Sequence, residues 1–145
     1  MKIIVEEDSK LDDLEVTLRA PRITDDVIAT VSRLKLHELK IAGVENHTTR
    51  FVPAKDVLYL ESVDKKTFFY TKNEVLETPM RLYEIEDKLG SCGFVRAGKS
   101  SVINLKEVES LKSDFGGKLI ATLQNAEKIV ISRAYAPAIK QMLGV

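Results

Sequence analysis

The stretch from Phe94 to Asn104 constrains this sequence most, because its ends favour β-strand and its middle is small, flexible and polar. Gly98 lies in that middle and permits backbone angles that a side chain would forbid. We therefore predict two strands joined by a tight turn that holds out Lys99 and Ser100. A lysine and a hydroxyl beside exposed backbone N–H groups suit an anion, either a nucleotide phosphate or a nucleic-acid backbone.

The nucleotide alternative has a matching pattern, since Gly93 to Ser100 spells G-x-x-x-x-G-K-[ST]. That pattern binds phosphate when a strand enters the loop and a helix leaves it, with the helix N-terminus facing the phosphates. Here an amphipathic helix is predicted before the loop, and Val102 continues as strand after it. Because the order is reversed, a P-loop-like nucleotide-binding protein is the alternative and nucleic-acid binding is the leading hypothesis.

Length and charge narrow the class of protein. The chain has 145 residues, enough for one domain with a small extension, and its 22 basic and 22 acidic side chains balance. The charge is uneven, because residues 94–145 hold eight Lys/Arg and four Asp/Glu, a balance of +4. That C-terminal third is the part expected to face an anion, although chance unevenness on a soluble surface is the simpler explanation of charge alone.

Other features point to a cytoplasmic protein with no direct membrane insertion. No apolar run is long enough to span a bilayer, and the N-terminus turns acidic too early for a secretory signal. The single Cys92 cannot form an internal disulfide, which suits a reducing compartment. His37 and His47 have no partner at ligand spacing, and no nucleophile stands beside a base, so we predict no metal site, no cofactor and no enzyme.

Two regions are predicted along the chain. Residues 1–45 are expected to form a short β-β-α extension, with strands at residues 2–5 and Glu15–Arg19 and a helix capped by Thr24. Residues 46–145 are expected to be mainly β, with a densely apolar strand at Val57–Ser62 that is typical of a central position.

Helices and a hairpin complete this second region. Thr78 and Pro79 are predicted to open a helix that ends at Gly90. A hairpin is predicted around Phe115–Gly117, and a closing helix is predicted from Ala134 to Leu143.

Three sequence blocks resemble the LytTR family of bacterial DNA-binding domains. Val57–Ser62 is similar to the family's apolar strand ending in Glu-Ser. Phe94–Asn104 is similar to its Phe-x-Arg-x-His-[Arg/Lys]-Ser-x-x-Val-Asn block, with Gly98 in the place of the usual His. Ile131–Tyr135 is similar to its Val-Ser-Arg-x-Tyr block before a final helix.

The resemblance covers roughly residues 46–143 and implies an α+β, mainly β fold: a stack of small antiparallel sheets with one or two helices, not a helix-turn-helix. It implies a bacterial transcription regulator that reads the major groove of duplex DNA through loops between strands. The form with Lys-Ser and no His is similar to stand-alone LytTR regulators, which lack a receiver domain and often pair with a small membrane protein. One small module reads few bases, so we expect a homodimer on paired promoter sites.

Carried over by position, three loops are implied to meet DNA: Asp64–Thr67, Gly98–Ser100 and Ser132–Arg133. The candidate DNA-binding residues are Lys65, Lys66, Thr67, Arg96, Lys99, Ser100, Ser132 and Arg133. A guanidinium such as Arg133 can make two parallel hydrogen bonds to guanine, and a lysine such as Lys99 suits a guanine edge or a phosphate.

Each candidate also has a structural explanation. Lys65 and Lys66 are equally expected as plain turn residues, the alternative for Lys99 is a solvated turn lysine, and the alternative for Arg133 is to satisfy loop or helix-end carbonyls. Arg96 either braces its loop or binds phosphate, and Ser132 caps the last helix, binds phosphate or does both. The alternative for the whole chain is a protein-interaction module without DNA binding.

Overall fold

The computed structural model describes residues 1–145, which form two antiparallel sheets and three α-helices. The helices are α1 (Asp25–Glu38), α2 (Leu82–Leu89) and α3 (Ala136–Leu143). The strands are β1 (Lys40–Glu45), β2 (Thr48–Pro53), β3 (Val57–Val63), β4 (Lys66–Thr71), β5 (Val75–Thr78), β6 (Phe94–Gly98), β7 (Ser101–Asn104), β8 (Val108–Ser113), β9 (Leu119–Leu123) and β10 (Lys128–Ile131).

The larger sheet has the strand order β2-β1-β5-β4-β3-β7-β6, and the smaller has the order β10-β9-β8. This architecture confirms the predicted α+β, mainly antiparallel fold. The predicted central strand is also confirmed, because β3 lies between β4 and β7 and its first four residues are buried.

Two apolar clusters fill the interior. One includes Leu60 and Phe69 of the larger sheet, Ile85 of α2 and Leu36 at the end of α1. The other joins the smaller sheet and α3 to the opposite side of β3, with Leu58 and Tyr59 as its contribution from that strand. Strand β3 is buried on both faces for this reason, as expected of a strand covered on both sides.

The N-terminal region differs from its prediction. Residues 1–23 form no strand, and every side chain among them is exposed, so the predicted strands at 2–5 and Glu15–Arg19 are wrong. Their apolar alternation is real, but a strand also needs a neighbour for its backbone hydrogen bonds, and these segments have none. The predicted helix is present as α1, without a side-chain hydrogen bond from Thr24.

Strand β1 was not predicted, and it pairs with β2 along its full length. Ile41 of β1 is fully buried in the core, so the boundary predicted between residues 45 and 46 cuts through a strand pair. The Gly-containing sequence of β1 is short and weakly patterned, and its place is set by contacts with β2 and β5.

The start of α2 also differs from its prediction. Thr78 is the last residue of β5, and the helix begins at Leu82, where the Glu84 carboxylate accepts a hydrogen bond from the Arg81 N–H at 3.1 Å. The Thr78 hydroxyl accepts from the Met80 N–H instead, at 3.3 Å. The predicted end at Gly90 is confirmed, as are the hairpin of β8 and β9 and the closing helix, which begins at Ala136.

None of the three helices combines the length and apolar character needed to cross a bilayer.

Candidate nucleic-acid interface

Two backbone hydrogen bonds gather three connections at one end of the molecule. The Ser62 N–H donates to the Ser100 carbonyl at 2.8 Å, which holds the β3–β4 turn beside the β6–β7 turn. The Ser132 N–H donates to the Ala97 carbonyl at 2.8 Å, which holds the segment after β10 beside β6. We call this surface the loop edge and define it as residues 63–66, 98–101 and 132–135.

The β6–β7 turn exposes both of its predicted functional side chains, Lys99 and Ser100. The strand register shifts between Arg96 and Gly98, which marks a bulge at Ala97. The bulge explains why the Ala97 carbonyl is directed out of the ladder and can accept from Ser132. This irregularity therefore connects the larger sheet to the segment that carries Arg133.

Arg96 braces this turn from beneath. Its Nη1 donates to the Lys99 carbonyl at 2.7 Å, and its Nε and Nη2 donate to Glu86 of α2 at 3.1 and 3.0 Å. Three hydrogen bonds thus support the prediction that Arg96 braces its loop. These bonds use three of the five N–H donors of the guanidinium and support the bracing role of Arg96.

The β3–β4 turn has left-handed backbone angles at Asp64 (φ 51°) and Lys65 (φ 65°), the geometry of a tight type I′ hairpin. Lys65 and Lys66 are exposed, as a DNA contact requires. Arg81, which precedes α2, donates from Nη1 to the Lys65 carbonyl at 3.2 Å and adds a further cation beside the turn.

Thr67 is a correction to the predicted set. It is the second residue of β4, pairs with Ser62 and Thr78 on its two sides, and is 4% exposed. Because strand residues alternate between faces, the side chain after the exposed Lys66 points into the protein and is out of reach of DNA.

Arg133 is exposed on the segment between β10 and α3. The carbonyl of Ser132, not its hydroxyl, accepts from the N–H groups of Tyr135 and Ala136, both at 3.0 Å. The last helix is capped at Tyr135 without a side-chain hydrogen bond, so the capping role predicted for Ser132 is wrong. The Ser132 carbonyl therefore accepts the hydrogen bonds at the start of the helix that were predicted for its hydroxyl.

The cations of the loop edge are not consumed by ion pairs within the protein. The salt bridges of the protein join Arg50 to Glu45 and Glu74, and Arg96 to Glu86. Lys65, Lys99 and Arg133 take part in none of them. The fold brings two cations of the C-terminal third, Lys99 and Arg133, to the same edge as the lysines of the β3–β4 turn.

The P-loop alternative fails on geometry. Gly93 to Ser100 is mostly strand β6, and strand β7 begins directly at Ser101. No helix N-terminus follows the loop to face a phosphate, which that mode of binding requires.

Polar side chains along β3, β4 and β7 have structural roles. Buried Asn104 donates to the Val57 carbonyl at 2.9 Å and accepts from the Lys106 N–H at 3.2 Å, so its side chain fixes the turn that follows β7. The rings of Tyr59 and Tyr70 stack with centroids 4.2 Å apart. Burial, and next a hydrogen bond to Glu61, raise the pKa of Tyr70 to about 12.

No pattern in the sequence indicated that the tip of the β8–β9 hairpin lies beside Arg133. The tip of the β8–β9 hairpin, at Phe115–Gly117, approaches the Arg133 side chain through Gly117. The hairpin itself was predicted from its paired glycines, but only the pairing of β9 with β10 brings its tip to this end of the smaller sheet.

Comparison with known protein families decides the family of this fold. The model of the LytTr DNA-binding domain matches residues 47–144. The chain belongs to the LytTR DNA-binding domain family. This membership confirms the resemblance carried by the three sequence blocks, and all three lie within the matched LytTR residues.

A LytTr DNA-binding domain from Bacillus cereus has the same fold, with a TM-score of 0.69 and 24% identity over 73% of this chain and 97% of that domain. Similar proteins include uncharacterised regulators named HTH-type transcriptional regulators in Staphylococcus aureus. Those of strains NCTC 8325 / PS 47 and MSSA476 are each 26% identical over 90% of this chain and 89% of the relative. In this LytTR chain, strands separate all three helices.

Proposed function

We propose that this LytTR protein is a bacterial transcription regulator that binds duplex DNA with its loop edge in the major groove. The observation that carries the proposal is the joining of three connections by the Ser62–Ser100 and Ala97–Ser132 backbone hydrogen bonds. Relatives named as transcriptional regulators match nine-tenths of the chain, which supports a regulatory role for the whole protein.

Each side chain of the loop edge has a proposed task. Arg133 reads a guanine through two parallel hydrogen bonds, and Lys99 contacts a guanine edge or a phosphate. Ser100, together with the exposed Lys65 and Lys66, contacts phosphate oxygens. Half-buried Ser132 is the weaker phosphate candidate, and Arg96 acts indirectly by holding the turn that carries Lys99.

The size of the module supports a proposal for its assembly, and the resemblance to stand-alone LytTR regulators supports one for its regulation. A single loop edge reads too few bases for useful specificity, so we propose a homodimer on paired promoter sites. Residues 1–45 are the proposed dimerisation or regulatory element, and a small membrane protein that restrains the regulator is a proposed partner. The protein would act in the cytoplasm, where its DNA is.

Footprinting and gel shifts on DNA upstream of the protein's own gene test this function. We expect Lys99→Ala and Arg133→Ala each to weaken specific binding by about tenfold or more while leaving the melting temperature nearly unchanged. Both side chains are exposed and outside the salt bridges, so their loss costs little stability.

Lys72→Ala is the matched control, because it removes the same charge from the β4–β5 turn at the opposite end of the strands. It should leave specific affinity within about twofold of wild type. If the wild-type protein produces no sequence-specific shift at low salt, the interaction-module alternative replaces this proposal. If either edge variant loses substantial stability, that residue is structural and its proposed contact is wrong.

A further inference from the structure

The tip of the β8–β9 hairpin carries two glycines with left-handed backbone angles, Gly116 at φ 74° and Gly117 at φ 83°. Their surroundings differ. A Cβ at Gly117 would lie 3.0 Å from Cγ and 3.2 Å from Cδ of Arg133, closer than side-chain atoms normally approach. A Cβ at Gly116 would meet nothing within 4 Å.

The strand register explains why Gly117 meets Arg133. In the smaller sheet β9 pairs antiparallel with β10, and the last pair of this ladder is Leu119 with Ile131. Two residues further, beyond the ladder, Gly117 stands opposite Arg133. Directly opposed positions of neighbouring strands are the closest side-chain neighbours in a sheet, so a bare backbone at 117 leaves room for the arginine stem.

We propose that Gly117 is a positioning residue for Arg133: its missing side chain leaves a channel along the hairpin in which the arginine stem lies, and this aims the guanidinium along the loop edge. The inference deepens the proposed function and rests on it for its DNA readout. An arginine stem is flexible, and a guanidinium needs a fixed plane for two parallel bonds to a base. Packing against Gly117 would limit that flexibility before DNA arrives.

The test compares Gly117→Ala with Gly116→Ala in the full chain. Both substitutions impose a side chain on a left-handed backbone in the same turn, so both carry the same kind of local strain. Only Gly117→Ala also displaces Arg133. We expect Gly117→Ala to weaken specific binding to the footprinted DNA about tenfold more than Gly116→Ala, with nonspecific binding unchanged.

The same pair of substitutions is then made in Arg133→Ala protein. Without the arginine stem, Gly117→Ala should cost no more affinity than Gly116→Ala. Equal effects of the two glycine substitutions in otherwise wild-type protein would overturn the proposal, as would an effect of Gly117→Ala that persists undiminished without Arg133.

A second readout needs no DNA. In Gly117→Ala the NMR signal of the Arg133 Nε–H should change its chemical shift, and the side chain should become more mobile. In Gly116→Ala both the chemical shift and the mobility should stay as in wild-type protein. If wild-type protein fails to bind DNA while this signal responds as expected, the proposed function is wrong and the positioning inference stands. If the signal is unmoved by Gly117→Ala, the inference itself is wrong.

Should the alanine at 117 prevent folding, Gly117→Asn and Gly116→Asn repeat the comparison, because asparagine tolerates left-handed backbone angles better than alanine. The same difference between the two positions is expected, and its absence would again overturn the inference.

Discussion

Arg96 links the turn that holds Lys99 to helix α2 through a single guanidinium. It donates to the Lys99 carbonyl and to the Glu86 carboxylate, so it fixes both the turn and the helix that supports it. Hydrogen bonds to charged groups contribute more to stability than neutral ones, but partial exposure of this pair reduces their value. Because Arg96 holds the Lys99 carbonyl, we expect Arg96 to affect DNA binding through the placement of the β6–β7 turn.

We expect Arg96→Ala to lower the free energy of unfolding by about 1 kcal/mol and to weaken specific DNA binding. Urea unfolding and a gel shift measure the two effects. Glu86→Gln is the control, since it removes the ion pair and leaves the bond from Arg96 to the Lys99 carbonyl available. It should preserve DNA binding better than Arg96→Ala; the reverse order would mean that the bond to the turn is unimportant.

Strand β1 joins the edge strand β2 to the rest of the larger sheet, and Gly43 allows it to pack. A Cβ at this position would lie 2.8 Å from Cζ of Phe69 and 2.8 Å from Cδ1 of Leu76, two buried side chains of the first cluster. Overpacking of this kind forces neighbouring side chains off their preferred rotamers. The glycine is therefore a packing requirement of the element, and the strand pattern gave no indication of it.

Gly43→Ala should reduce the free energy of unfolding by about 1–3 kcal/mol. Gly90 at the end of α2 provides the contrast, because its backbone is right-handed helical and a Cβ there would meet nothing within 4 Å. Gly90→Ala should be neutral or stabilising by up to about 1 kcal/mol. Denaturant unfolding of the two variants measures both changes in the free energy of unfolding. Equal losses of stability in the two variants would contradict the packing argument.

At the scale of the whole molecule, the packed body begins before the family-matched residues. Leu36 of α1 and Ile41 of β1 are both buried in the first cluster, whereas residues 1–23 bury no side chain. We propose that residues 1–23 are separable from the fold, and that α1 and β1 are not.

Two truncations test this division. Removal of residues 1–23 should leave the melting temperature within about 2 °C of the full chain, because no core contact is lost. Removal of residues 1–45 deletes two buried apolar side chains and the partner of β2, and should cost several kcal/mol or abolish folding. A stable, cooperative 46–145 fragment would restore the boundary predicted from the sequence.

Local chemistry made much of this protein predictable. Val57–Ser62 is apolar enough to be a central strand, and the small polar residues between two β-favouring runs predict the turn at Lys99 and Ser100. Gly98 is not the cause of this turn, because it ends β6 without a left-handed backbone angle. Gly116 and Gly117, by contrast, mark a hairpin. These are properties of a few neighbouring residues, and neighbouring residues are what a sequence records directly. The three family blocks added the fold.

Tertiary structure decided which of these pieces meet. The N-terminal alternation became no strand because no neighbour pairs with it, and Thr67 turned inward because of its register on β4. Ala97 reaches Ser132 because the two sheets are stacked in one arrangement, and Gly117 reaches Arg133 because of the register between β9 and β10. Pairing and packing join residues far apart in the chain, so their outcome depends on the whole fold and no local pattern contains it.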